Sequence, residues 1–157
     1  MSPPVEIRRE ELTSATAQGL IRALNAELTA RYPEEGATYF RLDPEEVAEG
    51  RGAFLVAWSD ERPAACGAIR SLDPKTGEIK RMYVEPGARG KGLGRAVLQA
   101  LEEEARRLGL VRLVLETGMR QHTAIALYER AGFARIPPFG DYAKSPLSVC
   151  LEKELSG

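Results

Sequence analysis

The sequence is poor in the residues from which metal and disulfide sites are built. It has one histidine, His122, and two cysteines, Cys66 and Cys150, which lie far apart and lack the CxxC spacing of a zinc or redox motif. This scarcity disfavours a metal site and a disulfide framework. We expect both cysteines to be inert core residues and His122 to lie at the surface or at a helix start.

Long apolar runs and basic stretches are also missing. No apolar segment approaches the roughly 20 residues that a membrane-spanning helix needs, and residues 1–10 lack the apolar region of a signal peptide. No run of Lys and Arg carries interleaved aromatic residues, so neither a membrane nor a nucleic acid is expected as a partner. With 43% apolar residues and a net charge of −1, the 157-residue chain is expected to be a cytoplasmic protein with one domain over residues 1–157.

Hydrophobic periodicity predicts an alternation of strands and helices. Strands are predicted at residues 5–9, 53–58, 64–71, 78–84, 111–116, 133–136 and 147–152, and helices at about 14–31, 92–108 and 123–131, with a helical turn at 44–49. The helix between the fourth and fifth strands requires a parallel crossover, whereas the other neighbours suit hairpins. The predicted fold class is therefore α+β, with a single mixed, mostly antiparallel sheet and helices on both faces.

A glycine-rich segment between the fourth strand and the long second helix has the features of an anion-binding loop. It reads Arg89-x-x-Gly92-x-Gly94, and Gly90, Lys91 and Arg95 lie within or beside it. Unpaired N–H groups at a helix start attract anions, and glycines let the backbone approach a pyrophosphate. A Walker A loop would need Lys-Ser or Lys-Thr after Gly92, and a dinucleotide fingerprint would need GxGxxG, so both are excluded.

This segment resembles the acyl-CoA signature Gln/Arg-x-x-Gly-x-Gly/Ala of the GCN5-related N-acetyltransferase (GNAT) superfamily. The strand Ile79 to Pro86 and the helix Ala124 to Phe133 resemble the flanking elements of that family. The resemblance implies the GNAT fold and transfer of an acetyl group from acetyl-CoA to a primary amine, without a metal. It places acceptor-side elements at about residues 1–60, the acetyl-CoA-binding core at about 77–133 and a C-terminal strand pair at about 133–155.

The resemblance also implies how acetyl-CoA binds. The pantetheine arm would lie against the backbone of the fourth strand, and the pyrophosphate would lie on the N–H groups of the glycine loop. Relatives carry Asn where this chain has Gln121, so the amide contact to the arm involves a longer side chain. The implied cofactor-binding residues are Met82, Tyr83, Val84, Arg89, Gly90, Lys91, Gly92, Leu93, Gly94, Arg95 and Gln121.

Catalysis needs a proton for the departing thiolate and a neutral amine as nucleophile. Tyr128 matches the family's tyrosine that donates this proton. Glu78 and Glu116 are both candidates for the general base, directly or through water, and direct attack by an already neutral amine is a further alternative. The implied catalytic residues are Tyr128, Glu78 and Glu116.

The acceptor is less well defined by the sequence. The resemblance places its pocket at residues 32–40 and 137–146, and a small-molecule or peptide amine is expected. The acidic residues Glu34, Glu35, Asp43, Glu45 and Glu46 either favour a cationic amine or are ordinary solvated charges. A homodimer is plausible. The alternative function, from another class, is a noncatalytic acyl-CoA-binding regulatory module.

Overall fold

The computed structural model describes residues 5–34 and 41–155. The strands in this part of the chain are β1 (Val5–Arg9), β2 (Gly52–Ser59), β3 (Arg62–Ser71), β4 (Thr76–Val84), β5 (Arg112–Gly118), β6 (Ala134–Ile136) and β7 (Ser148–Glu154). The helices are α1 (Ala15–Arg31), α2 (Leu93–Arg107) and α3 (His122–Arg130), and short 3₁₀ turns lie at Pro44–Val47, Pro86–Ala88 and Gly140–Tyr142.

The strands form one sheet in the order β1-β2-β3-β4-β5-β7-β6. Every neighbouring pair is antiparallel except β4 and β5, which run parallel and are joined through α2. The prediction of a mixed, mostly antiparallel sheet with one parallel crossover is confirmed.

The connection between β2 and β3 is tighter than the sequence suggested. Asp60 and Glu61 both have positive φ, at 50° and 62°, and alone form the turn between Ser59 and Arg62. The predicted strands at 53–58 and 64–71 leave Pro63 between them, which is wrong, since Pro63 lies within β3 opposite Trp58, where the register shifts. A bulge tolerates proline in a strand because a ladder position is disrupted there anyway.

Helices cover both faces of the sheet, as predicted. The Ser14 hydroxyl caps α1 by accepting from the Ala17 N–H at 3.0 Å, and α1 buries Leu20 and Leu24 against one face. Helices α2 and α3 contribute to the core on the opposite face. Gly67 allows α2 to lie close to β3, because a Cβ there would lie 2.9 Å from the side chains of Val97 and Leu101. None of the helices within residues 5–34 and 41–155 is long and apolar enough to cross a membrane.

Candidate active site at the splayed strands

The parallel pair β4 and β5 separates in the middle of the sheet. Pairing runs from Thr76 with Arg112 to Ile79 with Leu115 and ends there, so the later residues of both strands border a gap. The β3–β4 register also shifts near this point, and Arg81 has a φ of 58° in the left-handed region. Such a bulge bends a strand and changes the direction of its side chains.

A groove of about 640 Å³ follows the gap toward the N-terminus of α2. Ten of the eleven residues expected to bind acetyl-CoA line it; the exception is Lys91, an exposed residue that does not lie among the described lining residues. The ten are Met82, Tyr83, Val84, Arg89, Gly90, Gly92, Leu93, Gly94, Arg95 and Gln121. The glycine loop and the end of β4 therefore contribute to one surface.

The start of α2 has the geometry of an anion site. Gly92 is the N-cap in a left-handed conformation, and Gly90 has a φ of 80°. In the part of the chain that the structure describes, no backbone carbonyl accepts a hydrogen bond from the N–H groups of residues 90–95. These donors lie at the positive end of the helix dipole, which fits a phosphate group.

Arg89 is held in place at the rim of the groove. Its Nε donates to the Val84 carbonyl at 2.9 Å, and its Nη2 donates to Glu27 at 2.8 Å. The guanidinium lies 5.9 Å from the centre of the Tyr83 ring. Arg89 is thus oriented by α1 and β4 beside the anion site.

The groove has a wall that sequence motifs did not indicate. Glu27 and Arg31 of α1 line it, as do Arg120 and Arg130, and the exposed His122 lies there at the first position of α3. Because α1 lies far from the glycine loop along the chain, only the tertiary packing reveals its contribution.

Gln121 lies at the start of α3, where its amide is held by α1. Arg31 Nη1 donates to Gln121 Oε1 at 2.5 Å, and the Arg120 N–H donates to the Tyr32 hydroxyl at 2.7 Å. The ring of Tyr32 occupies the space that a side chain at Gly118 would fill, since a Cβ there would lie 2.0 Å from the Tyr32 oxygen. The contacts of Tyr32 therefore hold the end of α1 against the end of β5.

A smaller cavity of about 110 Å³ adjoins the groove. The two spaces share Leu24, Met82, Gln121, Ala124 and Tyr128 as lining residues. The smaller cavity is further lined by Leu28, Tyr32, Ile79, Lys80, Arg81, Glu116, Thr117, Gly118, Tyr142 and Leu147.

Tyr128 lies at the junction of the groove and the cavity. It is buried, and its ring packs edge-on against Phe133 with the centres 5.9 Å apart. Burial, reinforced by the charge of Glu116, raises the pKa of the Tyr128 phenol above its ordinary value. The phenol therefore keeps its proton at neutral pH, as a general acid must.

The two candidate bases have different surroundings. Glu116 lines the cavity and accepts a hydrogen bond from the Ser148 hydroxyl at 2.6 Å. Burial raises the pKa of the Glu116 carboxyl; the Ser148 hydrogen bond opposes this shift and repulsion from Glu78 adds to it.

Glu78 is only 1% exposed and does not lie among the described residues that line the cavity. Its carboxylate accepts from Arg70 Nε at 2.9 Å and Nη2 at 2.7 Å, and from the Tyr142 hydroxyl at 2.7 Å. Arg70 also pairs with Glu46. Glu78 is thus enclosed by partners.

The expected acceptor loops are seen in part. Tyr32 from the first loop and Tyr142 from the second line the cavity, while residues 35–40, and with them Glu35, lie outside the described residues. Three of the expected acidic residues are paired with arginines, and Glu45 is exposed. The pairs are Glu34 with Arg120, Asp43 with Arg41, and Glu46 with Arg70.

The cysteines lie in the core as expected. Both are free and buried, and burial raises the pKa of the Cys66 thiol to about 12. Among the described residues, no group of three or more His, Cys, Asp or Glu side chains could hold a metal ion.

Sequence and structure comparisons agree with this geometry. A model of the Acetyltransferase (GNAT) family matches residues 17–133. This chain belongs to that GNAT family. It is 43% identical over 155 residues to the IAA acetyltransferase of Azospirillum brasilense, covering 98% of this chain and 99% of the relative.

Solved GNAT structures show the same fold. A Klebsiella pneumoniae protein described as an acyl-CoA N-acyltransferase is 36% identical, with a TM-score of 0.81 over 97% of this chain and 98% of that one. The yncA structure from Salmonella typhimurium, with its cofactor acetyl-CoA, is 24% identical, with a TM-score of 0.71 over 98% of this chain and 95% of that one. The predicted GNAT fold is confirmed.

Membership of the GNAT family makes this chain an acetyl-CoA-dependent N-acetyltransferase, as the glycine-loop motif predicted. The relatives reported above are described as acyl- or acetyltransferases, and none is described as a noncatalytic module.

Proposed function

We propose that acetyl-CoA lies in the groove and that the acceptor amine approaches through the smaller cavity, so that both meet beside Tyr128. The observation that carries this proposal is that the two spaces share Tyr128 and Met82 in their linings. The N–H groups of residues 90–95 hold the pyrophosphate, with Arg89 and Arg95 beside it. The free backbone edge of β4 from Met82 onward faces the pantetheine arm.

Tyr128 is the general acid in this proposal. Acetyl-CoA supplies the acetyl group as a thioester, and the sulfur leaves as the acceptor nitrogen bonds to the carbonyl carbon. Tyr128 donates its proton to the departing sulfur. The acetylated nitrogen releases its second N–H proton, which returns to the phenolate through water. The position of Tyr128 in the lining of both spaces supports this role, and its raised pKa means that the phenol is protonated at neutral pH.

Glu116 is the general base in this proposal. It lines the cavity on the acceptor side and accepts a proton from the acceptor ammonium, directly or through water. A raised carboxyl pKa makes Glu116 a better proton acceptor than an exposed glutamate. Glu78, enclosed by Arg70 and Tyr142, supports the structure instead.

Three regions of the chain contribute to the proposed active site. Leu24, Leu28 and Tyr32 of the first region form the acceptor side of the cavity, residues 77–133 bind acetyl-CoA, and the C-terminal region adds Tyr142 and Leu147. The cavity volume of about 110 Å³ suits a primary amine at the end of a short chain, from a small molecule or a peptide. A cytoplasmic location, supported by the free cysteines, and a homodimer are further parts of the proposal.

Replacement of the general acid tests the mechanism. Tyr128→Phe removes the proton donor and keeps the ring that packs on Phe133. We expect kcat to fall by about 10²- to 10⁴-fold, while acetyl-CoA affinity and the thermal midpoint stay close to those of the parent. Thiol release measured with a panel of primary amines gives kcat, and unchanged turnover would remove Tyr128 from the mechanism.

A further inference from the structure

The acceptor cavity separates positive from negative charge. The charged residues among its described lining are Lys80 and Arg81 on β4 and Glu116 on β5. These strands lie on opposite sides of the gap that begins after Ile79 and Leu115. One side of the cavity is therefore cationic, and the other side carries a carboxylate.

Among the described residues, one hydrogen bond is made by the Lys80 ammonium. Its Nζ donates to the Arg41 carbonyl at 2.6 Å, and an ammonium group has three N–H donors. Partial burial strengthens its interaction with an anion because less water screens the charge. The nearby Glu78 and Glu46 carboxylates are already bound by Arg70.

Arg81 lines the cavity and has an unusual backbone conformation. Its φ of 58° lies in the left-handed region, which non-glycine residues rarely adopt, and it coincides with the register shift between β3 and β4. The residue is only 8% exposed, and its Nη1 donates to the Asn25 amide oxygen at 2.9 Å. Backbone outliers of this kind concentrate at functional sites.

We propose that the acceptor is an amino-acid-type molecule that carries a carboxylate close to its amine. Its carboxylate faces Lys80 and Arg81, and its amine faces Glu116 and the thioester beside Tyr128. This inference rests on the proposed function, since it assigns the same cavity to the acceptor. It adds the substrate class. A carboxylate on the acceptor goes beyond the cationic amine that the acidic residues were considered to favour in the sequence analysis.

The size of the cavity agrees with this class. Its volume of about 110 Å³ is below the roughly 150 Å³ of an apolar cavity that holds benzene. An amine and a carboxylate on one or two carbons fit such a space, and a side chain can extend toward the apolar residues Leu24 and Leu28.

The test compares each common amino acid with the amine that it gives on decarboxylation. Thiol release from acetyl-CoA is measured for each pair with the parent protein, Lys80→Gln and Lys75→Gln. Lys75 is an exposed lysine in the turn before β4 and provides the matched control for loss of one positive charge. We expect at least one amino acid to exceed its decarboxylated partner in kcat/KM by roughly tenfold or more.

The variants separate a role in binding from a role in structure. Lys80→Gln is expected to raise KM for the carboxylate-bearing acceptor by roughly tenfold, and to lower kcat/KM for that acceptor more than for the bare amine. Lys75→Gln should behave as the parent. An equal loss for both members of a pair would show that Lys80 supports the fold, and it would overturn the inference.

The remaining outcomes distinguish this inference from the proposed function. Equal or better use of the decarboxylated amines would overturn the inference and leave the function in place. Absence of transfer to every member of both sets, with acetyl-CoA still raising the thermal midpoint, would overturn the amino-acid class alone. Absence of both transfer and a thermal shift would overturn the function as well.

Discussion

Two glutamates of similar sequence context have different surroundings in the structure. Glu78 and Glu116 both lie on strands beside the gap, so the sequence left either of them open as the base. Arg70 and Tyr142 enclose Glu78, whereas Glu116 borders the acceptor cavity. The sequence could not separate them, because the partners of Glu78 come from β3 and from the loop before β7.

Glu116→Gln is expected to change the pH dependence of the reaction. In the parent protein, the Glu116 carboxyl takes up a proton as the pH falls through its raised pKa. It can then no longer accept a proton, so activity declines on the acid side. Without this base, kcat/KM depends on the small neutral fraction of the acceptor, and it rises with pH up to the pKa of the amine. We expect a loss of about 10²- to 10⁴-fold near neutral pH, measured as kcat/KM against pH.

Glu78→Gln provides the comparison for this variant. It removes the charge that faces Arg70 and should lower the free energy of unfolding by about 1–3 kcal/mol. The acid limb of the pH profile should persist and move to lower pH, because the Glu78 charge is one of the causes that raise the pKa of Glu116. If Glu78→Gln abolishes the acid limb and Glu116→Gln retains it, the base has been assigned to the wrong strand.

At the scale of elements, the beginning of α2 combines a backbone requirement with a binding role. The motif predicted a helix start with exposed N–H groups, and the structure places the N-cap at Gly92 with a φ of 79°. A side chain there would meet no atom within 4 Å. Glycine is therefore favoured by the left-handed backbone rather than by lack of space.

Gly92→Ala is expected to destabilise the protein and weaken acetyl-CoA binding together. A left-handed alanine costs about 1 kcal/mol, which corresponds to roughly 2–4 °C in the thermal midpoint at this chain length. Gly87→Ala is the matched control, because it lies in the same loop, has no atom within 4 Å of the added Cβ and has no positive φ. Thermal melts and acetyl-CoA titrations of both variants check this, and equal effects would contradict the role of Gly92.

Most of the elements could be predicted from local sequence. Periodicity located the helices to within about two residues, because each has one apolar face and a recognisable start or end, such as Ser14 for α1. A connection between β2 and β3 was predicted, but not its length: Asp60 and Glu61 alone form the turn, because Arg62 and Pro63 belong to β3. The role of α1 as a groove wall was also missed, because Glu27 and Arg31 meet Arg89 and Gln121 only through tertiary packing.

At the scale of the whole molecule, the active site depends on elements from most of the chain. Helix α1, the splayed strands, α3 and the loop before β7 enclose the acceptor cavity, while the glycine loop lies at the far end of the groove. The motif predicted the acetyl-CoA side because its residues are contiguous along the chain. The acceptor side could not be predicted in the same way, since Leu24, Lys80, Glu116 and Tyr142 lie on separate elements.

The most direct test of the account is a thermal melt with and without acetyl-CoA, with CoA, ATP and NAD compared at equal concentrations. A ligand present at 100 times its dissociation constant adds about 2.7 kcal/mol to the stability of the folded state. For a chain of this length we expect a rise of about 5–10 °C with acetyl-CoA and CoA and no comparable rise with ATP or NAD. No rise with acetyl-CoA, or an equal rise with ATP, would contradict the assignment of the groove to acetyl-CoA.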